Sequence, residues 1–200
     1  MKIKLIYRKP LLGRAWRKFF ADSDKVEVLE GDICRAECNA VVSPANSFGF
    51  MDGGLDRALS DRFGWQLQER LQKIIAKRPL GELLVGQALI VDTGNRSIPW
   101  LICAPTMRVP MKLRQSINAY LAMKAILVAV SSHSQVPAIE TVAIPGLGTG
   151  VGALTPETSA RQMWTAYREM ALGKKTYPEN FAEAQKNHLA LNPDDINLYD

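Results

Sequence analysis

Between residues 41 and 56 the chain reads Val-Val-Ser-Pro-Ala-Asn-Ser-Phe-Gly-Phe-Met-Asp-Gly-Gly-Leu-Asp, and no other stretch constrains the fold as much. A short apolar run ends at Ser43-Pro44 and delivers Asn46 into a loop. That loop closes through Gly53-Gly54, and apolar residues at helical spacing follow, with Asp56 in the first turn. Strand, polar loop, paired glycines and helix start bring exposed backbone N–H groups and the positive end of a helix dipole to one point. An anion can sit there. Because residues 40–43 are apolar on both sides, the strand is expected inside a sheet rather than at its edge.

The flanking sequence supplies that sheet. Residues 2–7 alternate polar and apolar, which predicts a strand ended by Pro10. Leu12, Trp16, Phe19 and Phe20 then fall at helical spacing, and residues 25–29 form a second strand that stops at Glu30-Gly31-Asp32. After the helix opened by Gly54, Gly64 interrupts, and residues 65–77 predict a helix with Leu67, Leu71, Ile74 and Ile75 on one face. Residues 86–92 and 100–104 read as two strands, joined hairpin-fashion through Thr93-Gly94-Asn95. A long helix over 114–131 turns Ile117, Leu121, Ile126 and Val130 inward, and 141–144 is a buried strand. Thr155 has the character of an N-cap, with Pro156 at the first helical position and Thr158 near N3, for a helix reaching about residue 172. Strands interleaved with helices predict an α/β fold, a three-layer α/β/α sandwich around a mixed, mostly parallel sheet. One domain covers residues 1–172, and 173–200 is an extension with one short helix within 178–191 and a polar tail.

Charge and cysteine content narrow the function. The net charge is +5, and the first eighteen residues carry Lys2, Lys4, Arg8, Lys9, Arg14, Arg17 and Lys18 without an acid. This is either a solvated basic edge or a contact for a phosphate-rich partner. No aromatic-basic interleaving supports the second, so nucleic acid is not the expected partner. Cys34, Cys38 and Cys103 are an odd set without framework spacing, which fits a reducing, cytoplasmic setting. The Cys-x3-Cys pair lacks a nearby His, so no metal is expected. His133 and His188 are far in sequence from any plausible nucleophile, which disfavours histidine-based catalysis. The start of the chain is too short and too charged for a signal segment, and no apolar run spans a bilayer. No membrane partner is expected, and a single copy of the chain is the expected state.

Three loops each follow directly on a predicted strand: Gly31-Asp32-Ile33, residues 45–56, and residues 146–152. In α/β sheets ligands bind in the crevice beyond the carboxyl ends of the strands. The last loop, Gly146-Leu147-Gly148-Thr149-Gly150-Val151-Gly152, is dense enough in glycine to let backbone approach a phosphate, or else it is a flexible turn. It has no Gly-Lys-[Ser/Thr] and so no lysine for a nucleoside triphosphate, and the first strand is not followed by Gly-x-Gly-x-x-Gly. A diphosphate without hydride chemistry, and without a resident cofactor, fits better.

Taken in order, these motifs resemble those of the macrodomain family. Gly31-Asp32-Ile33 matches the family's opening motif, and Ser43-Pro44-Ala45-Asn46 stands where the family has Asn-Ala-Ala-Asn. Gly53-Gly54-Leu55-Asp56 resembles its Gly-Gly-Val-Asp, and Gly148-Thr149-Gly150-Val151 its diphosphate loop. The resemblance covers roughly residues 1–172. It implies binding of ADP-ribose, free or on an ADP-ribosylated protein, with Asp32 on the adenine amino group and the two glycine loops on the diphosphate. The residues themselves leave alternatives open. Asp32 can accept from an exocyclic amine or cap a turn. Asn46 offers a donor and an acceptor to vicinal hydroxyls or braces its own loop.

Asp56 separates binding from catalysis. It lies ten positions after Asn46, and the resemblance to the hydrolase branch implies that Asp56 activates or positions water while Asn46 orients the distal ribose. As a helix-start carboxylate alone, Asp56 would be an ordinary low-pKa group. Hydrolysis of mono-ADP-ribosylated acidic side chains or O-acetyl-ADP-ribose is the leading expectation; a non-catalytic reader is the alternative. Several departures bear on the choice. Phe50-Met51-Asp52 replaces a run of glycines, and Gly152 stands where an aromatic usually covers the distal ribose, leaving Phe48 or Phe50 as substitutes. Asp52 is a second candidate acid, relevant to an ADP-ribose 1″-phosphatase. Gln68-Glu69-Arg70 is the nearest string to a Gln-Glu-Glu catalytic loop and sits mid-helix, which disfavours poly(ADP-ribose) cleavage.

Overall fold

The computed structural model describes residues 1–193. Its elements run β1 (Lys2–Tyr7), α1 (Pro10–Phe19), β2 (Val26–Glu30), a 3-10 turn (Ile33–Arg35), β3 (Ala40–Ser43), α2 (Gly54–Phe63), α3 (Gln66–Ala76), β4 (Leu89–Asp92), β5 (Trp100–Cys103), α4 (Asn118–Ser131), β6 (Thr141–Ile144), α5 (Pro156–Met170) and α6 (Phe181–Leu189). The strands form one sheet in the order β2-β1-β6-β3-β5-β4. All neighbours are parallel except β4, which pairs antiparallel with β5 as the hairpin reading requires.

Pleating divides the core in two. Ile3 and Leu5 of β1, Ala40 and Val42 of β3, Ile102 of β5, and Val142 and Ile144 of β6 face α1, α4 and α5. The alternate residues Ile6, Val41, Leu101 and Ala143 face α2 and α3. Apolar residues on both faces are what a strand covered by helices on each side demands, and β3 is buried at every position. The layers are therefore α/β/α. On the α2–α3 side Leu59, Leu67 and Leu71 are fully buried. Each such side chain contributes about 1.5–3 kcal/mol, so the helix that starts at Gly54 is firmly seated against the sheet.

Thr155 caps α5 by accepting from the Thr158 N–H, with Pro156 behind it, as its sequence predicts. Two helices differ from expectation. The α4 helix starts at Asn118 rather than 114, because the Leu113 N–H donates to the Gly152 carbonyl at 2.7 Å and Ser116 Oγ donates to the Leu113 carbonyl at 3.0 Å. Residues 114–117 are thus held as a turn, and the inward stripe becomes Ala119, Ala122, Met123, Ile126, Leu127 and Val130, with Leu121 only half-buried. On α3 the buried residues are Leu67, Leu71 and Ile75, and Ile74 faces outward. Residues 86–88 precede β4 instead of belonging to it.

Beyond α5, helix α6 is capped by Asn180 and buries none of its residues. The chain then returns to the body: Leu191 is buried, and Asn192 Nδ2 donates to the Arg114 carbonyl at 2.9 Å. The expected polar tail begins at Asn192, which is buried, and residues 194–200 lie outside the described residues. Among the described residues no helix is long and apolar enough to cross a membrane, and no group of three or more His, Cys, Asp or Glu side chains could hold a metal ion.

Candidate functional site

Five parallel strands place their carboxyl ends, and the loops that leave them, along one edge of the sheet. A cleft of about 500 Å³ opens there, walled by residues that follow β1, β2, β3, β5 and β6. Its size suits a small-molecule ligand. A larger cavity of about 800 Å³ lies across the 151–154 backbone, between residues 111–118 and the start of α5, and none of the expected site residues lines it. The smaller cleft brings together Asp32, Ile33, Ala45, Asn46, Gly53, Gly54, Leu55, Asp56, Gly146, Gly148, Thr149, Gly150, Val151 and Gly152. Leu147 is an exception. Its side chain is fully buried in the core beneath the loop and its carbonyl accepts from Ser159 Oγ at 2.8 Å, so the residue anchors the glycine loop instead of lining the cleft.

The 146–152 loop works through its backbone. Gly148 has φ +72°, and a Cβ there would lie 2.7 Å from Leu154 Cδ1. Its carbonyl accepts from the Leu154 N–H at 3.0 Å, while Thr149 Oγ1 donates to the Gly146 carbonyl at 3.0 Å. Among the described residues the N–H groups of Gly150, Val151 and Gly152 donate to no backbone carbonyl. They are open to an anion. Gly152, where an aromatic was missing, has a packing reason: a Cβ would meet the Gly148 carbonyl oxygen at 2.6 Å and Leu113 Cδ1 at 2.8 Å. Any larger side chain would have to displace main chain.

The facing loop is pinned by side chains. Asn46 Nδ2 donates to the Phe50 carbonyl at 2.9 Å, and its Oδ1 accepts the N–H groups of Phe48 and Phe50 at 3.1 and 3.3 Å. Both ends of this amide brace its own loop. Gln68 Oε1 accepts the Met51 N–H at 2.6 Å, and Ser60 Oγ donates to the Met51 carbonyl at 2.9 Å, so buried Met51 ties the loop to α2 and α3. Phe50 lines the cleft and is 52% exposed, whereas Phe48 is turned away under the Arg108 guanidinium at 5.0 Å. Of the two aromatics, only Phe50 stands where it could cover a ligand. Gly53 is an N-cap without a side chain, so the first N–H groups of α2 are left open toward the cleft.

At the other end Asp32 caps the 3-10 turn through the Cys34 N–H at 3.0 Å and pairs with Arg8 at 2.8 Å. Partial burial would raise its pKa, but the Cys34 N–H and the Arg8 guanidinium outweigh burial and hold the carboxyl below its ordinary range.

Asp56 departs most from expectation. A carboxylate at a helix start predicts an ordinary low pKa, yet burial pushes Asp56 up to about 6, with the nearby Asp52 charge adding to the rise. The Ser43 hydroxyl, donating to Asp56 Oδ1 at 2.5 Å, acts in the opposite direction. The helix dipole reasoning failed because it treats the carboxyl as solvated, and the sheet beneath it removes that solvent. Neither described histidine lines the cleft; His133 packs on Trp100, at the opposite end of β5.

Sequence reading missed Arg8 and Lys9 after β1, Thr106, Met107 and Pro110 after β5, and the contact made by Ser43. The same rule that selected three loops, carboxyl ends of parallel strands, would have selected these two as well had the direction of each strand been known.

The Macro domain family profile matches residues 42–163, and the chain belongs to that family. A protein of Aquifex aeolicus is 33% identical over 138 residues, spanning 69% of this chain and 78% of that one. The DNA ADP-ribosyl glycohydrolase of Mycobacterium tuberculosis is 30% identical over 145 residues, which are 70% of this chain but 38% of that protein. Among solved structures, the macrodomain of Mycobacterium tuberculosis DarG superposes with a TM-score of 0.57 at 26% identity, covering 70% of this chain and 87% of that one. The Oceanobacillus iheyensis macrodomain with ADP has a TM-score of 0.60 at 16% identity, covering 82% and 85%, a likeness of fold.

Proposed function

We propose that this chain binds ADP-ribose in the cleft and hydrolyses ADP-ribose conjugates, with Asp56 as the general base. The observation that carries the catalytic reading is the Asp56 carboxyl, on the cleft wall with its pKa raised to about 6. Such a group is ionised at neutral pH and basic enough to draw a proton from water, which an ordinary carboxylate does poorly. In this reading the adenine end lies by Asp32 and Ile33, and the diphosphate lies between the open N–H groups of 150–152 and the start of α2. The distal ribose then faces Asn46, Phe50 and Asp56. On a conjugate linked through C1″, water attacks C1″ as the bond from C1″ to the carrier breaks. Asp56 takes the water proton and returns it to the departing carrier, leaving ADP-ribose. The resemblance to a DNA ADP-ribosyl glycohydrolase makes ADP-ribosylated DNA a substrate to assay beside glutamate-linked peptide and O-acetyl-ADP-ribose.

A second reading, a reader that binds ADP-ribose without turnover, is favoured by Asn46, whose side chain is committed to its own loop at both ends. Release of ADP-ribose from each conjugate, measured for the wild type and Asp56→Ala beside calorimetric binding of ADP-ribose, separates the two. Asp56→Ala is expected to lose about 10²–10⁴-fold in turnover while still binding ADP-ribose. Undiminished turnover in Asp56→Ala overturns the assignment of the base. No turnover of any conjugate by wild type leaves the reader, and no heat with ADP-ribose removes both.

A further inference from the structure

Asp56 belongs to α2, but its carboxyl is held from another element. Ser43 ends β3 and is fully buried. Its backbone is locked against β5: it pairs with Cys103, and its carbonyl accepts the Ala104 N–H at 3.0 Å. The next residue, Pro44, has its carbonyl bonded by Thr106 Oγ1 at 3.1 Å. Pleating sends Val41 toward the α2–α3 layer, and Ser43, two residues on, projects to the same side. There its Oγ donates to Asp56 Oδ1 at 2.5 Å, and no other described group donates to that carboxyl. The remaining titratable neighbours, Asp52 in the loop and the buried Cys103 thiol of β5, carry no positive charge to hold it.

We propose that Ser43 is a positioning residue: its hydroxyl, fixed by the central strand, holds Oδ1 of Asp56 so that Oδ2 is the oxygen presented to water in the cleft. This rests on the hydrolase reading for its consequence in turnover, but the contact itself can be tested without it. A donor on a strand cannot drift with the helix, so the carboxyl keeps its direction as ligands enter and leave.

The test uses Ser43→Ala and the isosteric, weakly donating Ser43→Cys in the full chain. Three readouts are compared with wild type: ADP-ribose binding by calorimetry, kcat and KM from pH 5 to 8, and the ¹³C titration of the Asp56 carboxyl by NMR. A hydroxyl that donates to the charged carboxylate favours that form, so Ser43→Ala should move the titration midpoint and the acid limb of kcat upward, with Ser43→Cys between. Turnover at neutral pH should fall about tenfold with KM unchanged, the pattern of a loss confined to the transition state. A purely structural role would lower the yield or stability of folded protein and leave both midpoints in place. An unmoved NMR midpoint in Ser43→Ala overturns the proposal whether or not the protein hydrolyses anything. A moved midpoint in a protein without turnover keeps the contact and removes the hydrolase reading alone.

Discussion

The two loops that face each other across the cleft solve the same problem by different means. Residues 146–152 present bare backbone, and what matters is where glycine lets main chain pass close to main chain. Residues 45–56 are held through side chains, and what matters is which neighbour each one meets: Asn46 its own loop, the α3 glutamine the Met51 N–H, Asp56 the β3 serine. A backbone cradle is insensitive to solvent and pH. A half-buried carboxyl on the cleft wall is sensitive to both. The difference predicts that the first loop tolerates no added atoms at its crowded positions, whereas the second tolerates small changes in shape and gains stability when a shielded charge is removed.

The largest effect in stability should come from Asp56→Asn. The folded-state pKa of Asp56, about 6, is raised above the ordinary carboxylate value of 3.8. The protonated, neutral form is therefore the one the fold prefers. Its contribution is fully present below the unfolded pKa and is lost as pH rises through the folded one. Asn, always neutral and still able to accept from Ser43, escapes that loss. Urea denaturation should show Asp56→Asn more stable than wild type by up to about 3 kcal/mol at pH 8, with the gap closing near pH 4. An equal gap at both pH values would mean the carboxyl is solvated, and the contrast between the loops would fail.

Next comes Gly148→Ala. Its positive φ and the 2.7 Å approach to Leu154 Cδ1 together should cost about 1–3 kcal/mol in folding. The accompanying distortion of the cradle should weaken ADP-ribose binding. The smallest effect is expected from Gly53→Ala in the other loop, where φ is −134° and a Cβ would meet nothing within 4 Å. Its stability should change by less than about 1 kcal/mol. If the two glycine variants behaved alike in thermal unfolding, the distinction between a backbone loop and a side-chain loop would have no basis.

Much of this molecule was legible in its sequence. Period-2 and period-3.6 patterns located the strands and helices, because a strand in a three-layer sandwich is apolar on both faces and each covering helix is apolar on one. The α5 cap was legible because Thr155, Pro156 and Thr158 interact over one turn. The start of α4 was not, since it is set by the Leu113 N–H meeting Gly152, nearly forty residues away in sequence. The absent aromatic at position 152 read as a missing lid; contact with the Gly148 carbonyl makes it a steric necessity.

The sequence by itself determined the layered fold, the three glycine- and acid-bearing loops and the family they resemble, because these depend on local spacing and residue type. Only the tertiary structure decided the state of those groups. Asp32 is engaged by Arg8, Asn46 by its own loop and Asp56 by Ser43. Asp56 turned from a helix-start carboxylate into a raised acid because the sheet that excludes water from it is assembled from strands scattered along the chain. Solvation and hydrogen-bond partners belong to positions in space, and sequence spacing does not encode them.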